Sequence, residues 1–214
     1  MVRTSRADGT AVATAVPGSG TPYHWFFPNG TSLLVTGRSP QTGQLRVHLT
    51  GDLSVWMDSA DVQPASGLVE TGRGGAAALA DRPRGYVSTV AATPYPDYVD
   101  VRLGTSERLP FRIDGEERGL TVTVYGAETR TNNLLYGATD PLIHRMEWEQ
   151  VSDDLYRHAM LSRRGRQPRR GVVGVGRAGC PRVARRRISC SRESSGHRAP
   201  GERGEPRSKL PVQQ

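Results

Sequence analysis

The sequence predicts an all-β chain. Apolar and polar residues alternate with a period of two in segment after segment, as half-buried strands require. Glycine, proline and Asn-Gly punctuate the chain between those segments. The strand signals between Pro22 and Val62 are also short and crowded, four or five within about 40 positions, which suits a small barrel with few free edges.

Residues 1–21 are small, polar and broken by Gly and Pro, and read as a linker. His24-Trp-Phe-Phe opens the first strand, and Asn29-Gly30 is a turn dipeptide. Ser32-Leu-Leu-Val-Thr gives a second strand before Gly37. Leu45, Val47 and Leu49 share one face of a third, and Val55-Trp-Met forms another, with Trp56 expected in the barrel core. The barrel is assigned to 22–63, and 64–83 is a second linker around Gly72-Arg-Gly-Gly-Ala-Ala-Ala.

A second β-domain is assigned to 84–157. Val99, Val101 and Leu103 face one way while Asp100 and Arg102 face the other, and Leu120, Val122 and Val124 alternate with Thr121 and Thr123. In Ile143–Gln150, His144, Met146 and Trp148 share a face and are expected to pack the sheet. Ser152-Asp-Asp is a turn. Leu155-Tyr-Arg then opens a strand that composition gives no reason to continue, so the domain reads as incomplete, with a free edge.

Composition changes abruptly at Arg157. Residues 1–157 hold 14 Arg and no Lys against 18 acidic residues, a net charge of −4. Residues 158–214 hold 15 basic residues against 3 Glu, a net charge of +12, and lack Phe, Tyr, Trp, Thr, Asp and Asn. That segment offers too little apolar surface to offset the entropy of ordering and is expected to be a disordered Arg-rich tail. Cys180 and Cys190 both lie in it, so no disulfide is expected in the folded part. No run of 18 apolar residues predicts a membrane span, and the first residues lack the apolar stretch of a signal peptide.

The phrases His24-Trp-Phe-Phe-Pro-Asn-Gly-Thr, Leu45-Arg-Val-His-Leu and Val55-Trp-Met-Asp resemble a bacterial SH3-like cell-wall module. The run from Val99-Asp-Val-Arg-Leu through Leu120-Thr-Val-Thr-Val-Tyr-Gly and Ile143-His-Arg-Met-Glu-Trp-Glu-Gln to Asp154-Leu-Tyr-Arg looks like the AMIN-type β-domain. Such modules precede the zinc catalytic domain of some N-acetylmuramoyl-L-alanine amidases. The resemblance covers about 20–157 and stops at Arg157, before any zinc-amidase opening. It implies an SH3-like barrel, an incomplete AMIN-like β-sandwich, a peptidoglycan partner, and a place in the cell envelope or periplasm. Zinc belongs to the full-length family and no cofactor is expected on this chain. The tail is then read as the product of a shifted reading frame in a GC-rich gene.

No catalytic or metal residues are assigned. His24, His48, His144, His158 and His197 show no ligand spacing on one element, and there is no HExxH. Gly174-Val-Gly-Arg-Ala-Gly179 spells GxGxxG outside any strand-to-helix context, where it carries no dinucleotide chemistry. Glu116-Glu117 and Asp153-Asp154 read as solvated turn carboxylates. Arg163–Arg170 and Arg185–Arg187 would bind nucleic acid or other polyanions through counterion release, the alternative function. The candidate ligand-binding residues are Tyr23, Trp25 and Phe27, alternating with His24 and Phe26. One face of that strand could stack on sugar rings, against the competing reading of core or interdomain packing.

Overall fold

The computed structural model describes residues 1–18, 24–64, 83–95, 98–116, 119–135, 142–162, 173–175 and 184–189. The fold is all-β, with no α-helix among the described residues. The first unit contains β1 (Thr10–Thr14), β2 (Trp25–Pro28), β3 (Leu34–Arg38), β4 (Leu45–Thr50) and β5 (Leu53–Met57), then one 3-10 turn, Ser59–Asp61. The second contains β6 (Gly85–Pro94), β7 (Tyr98–Thr105), β8 (Phe111–Glu116), β9 (Gly119–Tyr125), β10 (Ala127–Leu135), β11 (Ile143–Ser152) and β12 (Leu155–Ser162). Beyond it lie β13 (Val173–Val175) and β14 (Ala184–Ser189).

The alternation identified in the sequence places its apolar halves as expected. Val99, Val101 and Leu103 of β7 and Leu120, Val122 and Val124 of β9 are buried in one core. Val47 and Leu49 of β4 and Val55 and Met57 of β5 are buried in another. The expected turn at Asn29-Gly30 also forms. Gly30 takes φ +86°, and the Thr31 amide donates to the Pro28 carbonyl at 3.0 Å.

The two units are not separate beads. Nine strands form one sheet in the order β11-β12-β9-β8-β2-β1-β5-β4-β3, and a five-stranded sheet, β10-β6-β7-β14-β13, completes the description. The seam is β2 against β8, antiparallel, with Trp25 opposite Arg112 and Phe26 opposite Phe111. Among the described residues only the β6–β10 pairing is parallel.

Five expectations need correction. Trp56, expected in the barrel core, is half-buried and alternates with buried Val55 and Met57, so it faces away from that core. The linker read at 1–21 contains β1, whose Ala11 and Ala13 are fully buried and whose strand lies between β2 and β5. Leu155-Tyr-Arg does continue, for β12 runs to Ser162 and pairs along its length with β11 and β9. Tyr156, His158 and Met160 point into the core from it, so the composition break at Arg157 falls inside a strand. Trp148 shares a face with buried Met146 but is 40% exposed, because β11 is the last strand of its sheet, and His144 is exposed because the β11–β12 register shifts between Ile143 and Arg145 and turns it off that face. Asp154 is buried rather than solvated. Of the tail, only the backbone of β13 and β14 is described, and β14 pairs antiparallel with β7. The rest of the predicted disordered tail, the 65–82 part of the second linker and Gly176–Gly179 of the GxGxxG stretch lie outside the described residues.

Candidate functional site

Strand β2 is apolar on both faces because it lies between two cores. Trp25 and Phe27 point into the first core, 5% and 0% exposed. Phe26 points the other way and stacks on Phe111, with ring centroids 5.4 Å apart. Neither Trp25 nor Phe27 offers a ring to a ligand. They pack the joint between the units, and Tyr23 lies outside the described residues. Local alternation identified the aromatics. It could not show that the first core buries Trp25 and Phe27, or that β8, more than eighty residues later, pairs with Trp25 and Phe26.

The joint is tied by polar groups as well. Asp154, in the turn before β12, accepts hydrogen bonds from the Thr50 hydroxyl at 2.6 Å and the Ser152 hydroxyl at 3.1 Å. Arg84 donates to the Ser32 carbonyl at 3.1 Å and the Leu49 carbonyl at 3.3 Å. Burial pushes the Arg84 guanidinium below its ordinary pKa, and the Asp154 carboxylate opposes that shift. Arg108 donates to the Asn29 carbonyl. Each arginine lies against a left-handed glycine. A Cβ on Gly126 (φ +72°) would meet Arg84 Nε at 2.6 Å, and one on Gly30 would meet Arg108 Nη1 at 2.6 Å.

The core face of β11–β12 holds His158, fully buried, with neither ring nitrogen hydrogen-bonded. Burial pushes its pKa down to about 4, so the ring is neutral. Tyr156 beside it has its phenol pushed up to about 12, by burial first. Neither group reaches solvent, which removes both as acid–base or ligating candidates. Among the described residues no group of three or more His, Cys, Asp or Glu could hold a metal ion, and no helix is long and apolar enough to cross a membrane.

The opposite face of β8-β9-β12-β11 is open and polar. Arg112, with its guanidinium 5.4 Å from the centre of the Trp25 ring, pairs with Asp114 at 2.7 Å. Thr121 and Thr123 lie flush beside that pair on β9. Arg157 on β12 then pairs with Glu149 on β11 at 2.7 Å, and Arg145 with Glu147 at 2.5 Å. Strand alternation fixes this row, since every second residue of each strand must point away from the core. At its outer end an open depression of about 470 Å³ is lined by Arg145, Glu147, Trp148, Glu149 and Arg157, among others. The face offers guanidinium and carboxylate groups in a mixed-sign array, with Thr121 and Thr123 buried between them. Sequence alternation contained these positions, but pairing them across strands required the register.

No protein-family model matches the chain, and no curated protein sequence matches it.

Proposed function

We propose that this chain is a cell-wall binding and targeting region, of the kind that precedes the zinc domain in N-acetylmuramoyl-L-alanine amidases, and that it works in the cell envelope. The observation that carries this reading is the mixed-charge face of β8-β9-β12-β11, with Trp148 exposed at its rim. Peptidoglycan presents hydroxyls, amides, amines and carboxylates over a broad surface, and a flat array of both charges complements that chemistry. The resemblance to SH3-like and AMIN-type modules, carried by residues from His24 to Arg157, points to the same partner. This region recruits, and the zinc chemistry belongs to the catalytic domain that follows such modules in the family.

Co-sedimentation with purified peptidoglycan tests the reading. The full chain and a version ending at Ser162 should both pellet with the wall, and Arg112→Glu with Arg157→Glu should release them. The cut is placed after Ser162 because β12 belongs to the core. Binding by the full chain alone, lost in high salt and equally strong on nucleic acid, would instead support the polyanion-binding alternative carried by the net +12 of 158–214.

A further inference from the structure

The nine-stranded sheet ends differently at its two sides. Strand β3 is five residues long, and its register slips between Val35 and Gly37, which blunts that edge. Strand β11 is ten residues long; its register with β12 shifts between Ile143 and Arg145 and again between Gln150 and Ser152, and the six residues from Arg145 to Gln150 pair without interruption. Its other side has no strand partner among the described residues. A long strand with an unpaired side is a template for another strand. Here the template also carries side-chain information: His144, Arg145, Glu147, Trp148 and Glu149 are exposed along it.

We propose that β11 is a self-association edge, on which the β11 of a second copy of this chain docks antiparallel with the twofold axis at Met146. Residue-centred registers are the relevant ones, because opposed residues then share parity and both buried faces stay on one side of the joined sheet. Centring on Arg145 opposes Arg145 to its own copy, and centring on Glu147 opposes Glu147 to its own copy. Centring on Trp148 sets Glu147 against Glu149. Centring on Met146 sets Arg145 against Glu147 twice, by symmetry, with no like charges opposed. The polar faces of both copies then lie on the same side of one continuous sheet.

Sedimentation velocity of the full chain over a range of concentrations tests this. The wild type should form a dimer. R145E alone and E147R alone should each weaken dimerisation by about tenfold or more, since each opposes like charges twice. The double variant R145E/E147R should restore it. Monomers at every concentration, dimers indifferent to the single variants, or a double variant that fails to recover would each overturn the proposal. Disulfide trapping reports the register independently of variant stability. With Cys180 and Cys190 replaced by Ser, a mixture of R145C and E147C chains should cross-link faster than either alone, and equal rates would overturn the Met146 register.

Discussion

Asp154 and His158 lie four residues apart on the same hairpin, and both are buried, but the protein treats them in opposite ways. Asp154 is 6% exposed and accepts two hydroxyl hydrogen bonds, one of them from the other unit, with the Arg84 guanidinium nearby. His158 is 0% exposed and has a partner for neither nitrogen. A buried polar group that finds its hydrogen bonds is close to neutral or favourable for folding, whereas one that finds none retains its full desolvation cost. The first group therefore joins the units, and the second weakens the strand that carries it.

The largest test of this contrast is acid. His158 has a folded pKa of about 4 against an ordinary 6.5, so between those values the unfolded chain binds more protons than the folded one. Stability at neutral pH is then lost as pH falls through that window, by about 3 kcal/mol in total, and His158 contributes no further change below it. Urea denaturation at stepped pH should show this slope, and His158→Leu should abolish it while raising neutral-pH stability by about 1–2 kcal/mol. A slope that survives the substitution would mean the loss comes from other groups.

The opposite substitution sharpens the Asp154 side. Asp154→Ala removes both hydroxyl bonds and the charge that offsets buried Arg84, and should cost about 2–3 kcal/mol in the same denaturation experiment. Gly126→Ala attacks the same joint through the backbone, forcing a side chain into a left-handed conformation against Arg84. It should cost about 1–2 kcal/mol. Combining it with Arg84→Ala should give less than the sum of the two, and strict additivity would separate the glycine from the arginine. The smallest effect belongs to the open face. Arg157→Ala breaks an exposed pair with Glu149 and should change stability by under about 0.5 kcal/mol, whatever it does to wall binding.

Much of this fold was legible in the sequence, because alternation identifies the buried face of a strand wherever large apolar residues mark it. Val99-Asp-Val-Arg-Leu and Leu120-Thr-Val-Thr-Val are such cases. β1 was missed because its inward residues are alanines, which occur as readily in loops. β12 was cut short because the change in composition at Arg157 outweighed the Tyr156, His158, Met160 alternation. Trp148 shows a further limit, since a period of two tells which face a residue is on, not whether its strand is central or at the rim, and His144 shows that a bulge breaks the period without a local mark. Of the aromatic candidates, Trp25 and Phe27 face inward, for a related reason. The residues that bury them lie on β1, β4 and β5, and the neighbouring strand β8 is more distant still, and pairing between strands apart in sequence leaves no local mark.

The seam between β2 and β8 also sets the order in which the chain can reach its native state. Trp25 and Phe26 find Arg112 and Phe111 only after the intervening polypeptide is looped out, and β6 and β10 must pair in parallel across another long crossover. Loop closure is costly before such contacts reward it, so folding belongs in the slow range of β proteins, about milliseconds to seconds. During that interval the aromatic face of β2 stands uncovered, and the time it spends so governs how much newly made chain is lost to aggregation.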